Sequence, residues 1–113
     1  MHAVQGDGEI CGTAVEVPAE LTFKFSLIRG KSIEWPRIES PEEIMTVSSA
    51  RPLEDAARLA FRELIQWLRN EYQFSLYDAY MLLGLTAKAR IAQIVDPLYT
   101  VVAKFSKEYL RQL

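Results

Sequence analysis

The feature that most constrains this 113-residue chain is a change of hydrophobic period at Pro52. Ahead of it, in AVEVPAELTFKFSLIRG, apolar and polar residues alternate. Val15, Val17, Ala19, Leu21, Phe23, Phe25 and Leu27 fall on one side, and Glu16, Pro18, Glu20, Thr22, Lys24 and Ser26 on the other. Strand side chains point alternately to opposite faces, so this spacing predicts β-structure with one wet face. Pro18 cannot donate to a ladder and marks an edge, a bulge or a break. Behind Pro52, in PLEDAARLAFRELIQWLRNEYQ, apolar residues recur every three or four positions: Leu53, Ala57, Ala60, Phe61, Leu64, Ile65 and Leu68. That is the stripe of an amphipathic helix.

Local signals place the remaining elements. Arg29-Gly30-Lys31 reads as a turn, and SIEWPRIE and EEIMTVSS as short strands separated by Pro36 and Pro41. Pro52 suits the first helical position, and Glu54 and Asp55 sit in the first turn, where the helix dipole favours anions. Ser75 opens a second helix, with Asp78 three residues on as a variant of the capping box. Gly84 is its expected stop. ARIAQIVD, halted by Pro97, and YTVVAKF read as the last strands, with KEYLRQL as a short terminal helix. Strands, two adjacent helices, then strands again indicate an α+β fold of antiparallel strands with the helices inserted before the last strands, forming one domain over residues 1–113.

Composition narrows the function. Thirteen basic and fifteen acidic residues give a net charge of −2, without the basic excess that nucleic-acid binding requires. Arg58, Arg62 and Arg69 are interleaved with Glu54, Asp55, Glu63 and Glu71, the pattern of a solvated helix face. No stretch approaches the length of a membrane span, and the start lacks the pattern of a secretory signal. The single cysteine, Cys11, cannot form an internal disulfide, which fits a reducing compartment, so a cytoplasmic location is expected. Cys11 has no base nearby in sequence and is expected to be a buried strand residue rather than a nucleophile. Tyr77, Tyr80 and Met81 are expected to pack in the core. Asp96-Pro97 reads as a strand terminator.

Three stretches have a further significance. They are HAVQGDGEICGTAVE at 2–16, LIRGKSIEWPRIE at 27–39 and SLYDAYMLLGLTAKARIAQIVDPLYTV at 75–101. In this order they resemble the C-terminal part of the acetamidase/formamidase family, metal-dependent hydrolases of small linear amides. Members of that family are much longer, and much of their active site comes from an upstream β-rich domain. The resemblance therefore implies amide hydrolysis with a divalent metal, zinc or calcium, and a small amide substrate. It leaves open a catalytically incomplete module, or one chain of a split enzyme whose partner chain supplies the other domain. Where the family tends to carry Gly-Asp before its RI-x-Q strand, this chain has Thr86-Ala87-Lys88-Ala89, so no role attached to that aspartate carries over.

The resemblance implies a site role for His2, Asp7 and Glu9. Hydrolysing an unactivated amide needs a strong nucleophile and a stabilised oxyanion, and a metal supplies both. On an extended strand, Asp7 and Glu9 would point the same way. His2 and Asp7 are then candidate metal ligands, Glu9 a ligand or the base that handles water, and Gln5 a group that orients the substrate amide. The plainer reading is that Gly-Asp-Gly forms a turn, Glu9 lies on a wet strand face and His2 is solvated near the chain start. An upstream domain would also cover the Val15 to Leu27 face. Without it, a homo-oligomer formed through that face is expected.

Overall fold

The computed structural model describes residues 1–110. A small hairpin pairs β1 (His2–Val4) with β2 (Val15–Glu16). A four-stranded antiparallel sheet follows, built from β3 (Arg37–Glu39), β4 (Glu43–Ala50), β5 (Lys88–Gln93) and β6 (Tyr99–Ser106) in the order β3-β4-β6-β5. Between β4 and β5 the chain forms α1 (Leu53–Tyr72) and α2 (Leu76–Thr86). The architecture is α+β, with the two helices inserted before the last strands as the sequence predicts.

The sheet's central pair is β4 and β6, in register from Glu43 opposite Ser106 to Ala50 opposite Tyr99. Alternation assigns one face of this pair to the core: Ile44, Thr46 and Ser48 from β4, and Val101, Ala103 and Phe105 from β6, are all buried. α1 lies on this face and contributes Ala56, Ala60, Leu64, Trp67 and Leu68. Two buried hydroxyls fix its seat. Thr46 Oγ1 donates to the Ala60 carbonyl at 2.6 Å, and Ser48 Oγ to the Ala56 carbonyl at 2.5 Å. Alanine at both helical positions lets the backbone come near enough for these bonds, which also satisfy polar groups that burial would otherwise penalise. The buried stripe of α1 is turned from the one expected: Ala57, Phe61 and Ile65 are half-buried and face α2 instead.

Arg37 ties the edge strand β3 to α1. Its Nε donates to Glu63 Oε1 at 2.8 Å, and its Nη1 to Glu71 Oε1 at 2.8 Å. The guanidinium also lies 4.9 Å from the centre of the Trp67 ring. Glu71 meets Lys31 as well. Burial alone would raise the Glu71 pKa, but the hydrogen bond and charge of Lys31, with Arg37 nearby, outweigh it and hold the carboxyl below the usual glutamate range.

Several expectations are corrected. Of the alternating segment from Val15 to Leu27, only Val15–Glu16 is a strand. Beyond Val17 the chain finds no ladder partner, and Leu21, Phe23, Phe25 and Leu27 stand exposed. Periodicity reports a face that suits burial, not the presence of something to bury it. α2 is capped by Ser75 as expected, the Ser75 hydroxyl accepting from the Asp78 N–H at 3.1 Å. It runs past Gly84 to Thr86, where the Thr86 hydroxyl donates back to the Leu82 carbonyl. Tyr77, Tyr80 and Met81 are exposed on α2 rather than in the core, which α2 enters mainly through Ala79 and Leu83. Of the expected terminal helix, Lys107–Leu110 form a short 3-10 turn, and residues 111–113 lie outside the described residues. No described helix is long and apolar enough to cross a membrane.

Candidate functional site

The opening motif is not an extended strand. After β1, Asp7–Glu9 form a single 3-10 turn, with Gly8 at φ +81° and Glu9 at φ +46°. Asp7 and Glu9 therefore do not share a strand face. Gly8 is buried against β5's end, where its carbonyl accepts from the Ile94 N–H at 2.9 Å. A Cβ on Gly8 would lie 3.1 Å from Ile10 Cγ2 and 3.5 Å from Ile94 Cγ1. This position needs glycine for both its backbone angle and its close packing.

Two side chains complete the attachment to β5. Gln5 Nε2 donates to the Ala92 carbonyl at 3.0 Å, and Arg90 pairs through Nε with Asp7 Oδ1. Gln5, Gly6, Asp7, Arg90, Ile91, Ala92 and Val102 surround a depression of about 270 Å³, open to solvent and small enough to suit a small amide rather than a large ligand. Arg90 and Val102 are cross-strand partners, and Val102 alternates with the buried Val101 and Ala103. The depression therefore opens on the sheet face opposite the helices.

The candidate residues separate into distinct settings. His2 lies in β1, with Nε2 2.8 Å from Glu16 Oε1 and Nδ1 2.8 Å from Gln5 Oε1. Since Gln5 Nε2 faces a carbonyl, its amide oxygen is the atom turned to His2. Both ring nitrogens thus face oxygens of neighbouring side chains, so neither is open to a metal as placed. Asp7 is neutralised by Arg90. Glu9 is half-buried and has no ion-pair partner among the described residues, and it does not line the depression. Among the described residues no three His, Cys, Asp or Glu side chains come close enough together to hold a metal. His2, Asp7 and Glu9 do not by themselves fit a metal ion, which normally takes three or four protein donors. Cys11, expected in a buried strand, is exposed in the turn after Glu9 because β2 begins only at Val15. Lys88, where the family tends toward Gly-Asp, opens β5 and is exposed.

Arg90 was not among the residues singled out by the sequence. Its signal was its place in the ARIAQIVD strand, one of the stretches carrying the resemblance. Nothing in a linear reading brings position 90 to position 7.

Residues 1–105 match the model of the acetamidase/formamidase family. The chain belongs to that family. An acetamidase from Yersinia enterocolitica shares 50% identity and superimposes with a TM-score of 0.85, over 96% of this chain and 33% of the acetamidase. An acetamidase from Bacillus halodurans shares 31% identity, with a TM-score of 0.88 over 99% of this chain and 38% of that one. A predicted acetamidase/formamidase from Thermoanaerobacter tengcongensis is similar at 26% identity and a TM-score of 0.79, over 98% of this chain and 37% of its own. No curated protein matches. The chain spans about a third of the length of these relatives, and the turn, β5 and both helices lie within the residues matched by the family.

Proposed function

We propose that the chain is the part of a linear amidase that forms one wall of its active-site cleft, releasing ammonia from formamide or acetamide. The observation that carries this reading is the 50% identity to an acetamidase over 96% of the chain. In it, the Asp7–Glu9 turn, clamped to β5 by Gln5 and Arg90, is that wall. Glu9, on the same turn but outside the depression's lining and without an ion-pair partner among the described residues, is the base to which this reading assigns the proton of the attacking water. Water oxygen then bonds to the amide carbon, the C–N bond breaks, and the proton leaves with the ammonia. Asp7, held by Arg90, lines the depression as a fixed negative charge. Gln5 orients the substrate amide by exchanging its bond to Ala92 or to His2. The zinc or calcium ion expected for the family would take His2 and Asp7 only if they gave up their present partners and further donors came from outside this chain.

The 33–38% coverage of the relatives favours a second reading, in which the chain is catalytically incomplete and works with the remainder of the fold, on the same or a separate chain. Ammonia release from formamide and acetamide, with and without zinc or calcium, separates the two. Activity of the 113-residue chain that disappears in Glu9→Gln establishes it as an enzyme alone. Absence of turnover under every metal condition leaves the incomplete reading, and a full-length protein whose turnover is unchanged by Glu9→Gln refutes the role of Glu9.

A further inference from the structure

The depression beside the turn holds an ion pair that leaves several of its polar atoms unused. Arg90 meets Asp7 through Nε and Oδ1. Among the described residues, Arg90 Nη1 and Nη2 donate no hydrogen bond and Asp7 Oδ2 accepts none. Both side chains line the depression, and they are 57% and 61% exposed. Gln5, the other polar side chain there, is engaged at both ends, Oε1 with His2 Nδ1 and Nε2 with the Ala92 carbonyl. A ligand entering the depression therefore finds free donors on Arg90 and a free acceptor on Asp7, and no present bond has to break to use them.

The chemistry of the pair selects the ligand. A guanidinium offers only donors, in a rigid plane, and an ionised carboxylate only acceptors. With Nε held on Oδ1, the rest of the pair presents N–H groups from one partner and a bare carboxylate oxygen from the other. A primary amide has the complementary set: its carbonyl oxygen accepts and its NH2 donates. The two charges offset each other, which suits a neutral ligand. A carboxylate would set an acceptor and a like charge against Asp7 Oδ2. An N,N-dialkyl amide keeps the carbonyl but leaves Oδ2 without a donor. Ile91, Ala92 and Val102 supply the apolar part of the lining, and Val102 is the cross-strand partner of Arg90, so a short acyl group has an apolar seat beside the guanidinium.

We infer that the Arg90–Asp7 pair reads the primary amide group, Arg90 Nη1 and Nη2 donating to the substrate's carbonyl oxygen and Asp7 Oδ2 accepting from its NH2. The inference rests on the linear-amidase reading and deepens it, adding two specificity-determining residues to the role given to Gln5. It also accounts for release of the acid: once the C–N bond has broken, the carboxylate has no N–H for Asp7 and repels it.

Binding tests this apart from turnover. Proton–nitrogen correlation spectra of the 113-residue chain, taken without added metal, are titrated with acetamide, N,N-dimethylacetamide and acetate. Acetamide should shift the signals of residues 5–7 and 90–92 saturably, and bind at least about tenfold more tightly than either of the others. Asp7→Asn keeps an oxygen for Arg90 Nε but sets an NH2 where Oδ2 was, so the preference for acetamide over N,N-dimethylacetamide should fall to within about twofold. Arg90→Lys keeps the charge but loses the planar fork, and should weaken acetamide about tenfold. A pair that only held the turn in place would weaken both amides alike and leave their ratio unchanged. The same spectra report whether each variant folds. Absence of a saturable shift, equal binding of the two amides by the parent, or a parent-like preference in Asp7→Asn overturns the inference. Selective binding without ammonia release supports the inference and counts against autonomous catalysis. Ammonia release without the preference overturns the inference and leaves the amidase reading standing.

Discussion

Replacing Arg37 by alanine should unfold this protein more readily than any other single change at an edge strand. Arg37 donates through Nε to Glu63 Oε1 at 2.8 Å and brings Nη2 to 2.7 Å from the same oxygen as an ion pair, while Glu63 is 2% exposed. The ion pair itself adds little net stability, because desolvation of two charges offsets most of their attraction. Removing one partner is different. Glu63 would remain on the buried side of α1 with its charge uncompensated, at a cost of about 3–5 kcal/mol. β3 would also lose its main side-chain link to α1. For a domain of this length that corresponds to a fall in Tm of roughly 10–20 °C. Urea and thermal melts followed by circular dichroism measure it. The double variant Arg37→Met/Glu63→Leu, which removes both charges, should recover most of the loss. A loss below about 1 kcal/mol for Arg37→Ala, or a double variant as unstable as the single one, would refute the reasoning, since either means that Glu63 finds solvent or another partner.

Two further outcomes are expected. Gly8→Ala places a side chain at φ +81° and 3.1 Å from Ile10 Cγ2, which should cost about 1–2 kcal/mol in chemical denaturation; an alanine variant as stable as the parent would mean that the turn relaxes freely. For pH, Glu71 has a folded-state pKa below the ordinary 4.5. Its stabilising contribution is therefore complete above that value and is lost as pH falls through the lowered one. Melts between pH 6 and 2 should show an acid limb that flattens in Glu71→Gln, and an identical limb in the variant would contradict this.

The sequence made the helices legible because their signals are local. Pro52, Ser75 with Asp78, and the three- and four-residue spacing act within a turn or two of chain, and α1 and α2 begin within a residue of where these signals put them, Pro52 capping α1 rather than opening it. Strands β4, β5 and β6 were readable for the same reason. The failures have one physical origin: alternation and apolarity describe a surface suited to burial, but burial needs a partner. Leu21 to Leu27 and the Tyr77, Tyr80 and Met81 face have the right residues, and nothing in the described chain covers them. The site was half legible. The residue types in HAVQGDGE were visible, but the turn conformation followed from Gly8 docking on Ile94, and the Arg90–Asp7 pair depends on a contact between positions far apart in sequence.

The attachment of that turn has a consequence for its lifetime. The hairpin of β1 and β2 joins no strand of the main sheet, and its hold on β5 consists of the Gln5–Ala92 bond, the Gly8–Ile94 bond and the Arg90–Asp7 pair. Two of these three lie on exposed or half-buried side chains. The first seventeen residues thus form a unit that can open without unfolding the sheet. Amide hydrogens of β1 and β2 should exchange with solvent far faster than those of β4 and β6. If that turn forms the proposed wall of the cleft, the wall is a clasp, whose closed fraction is set by whatever presses on it from the open side.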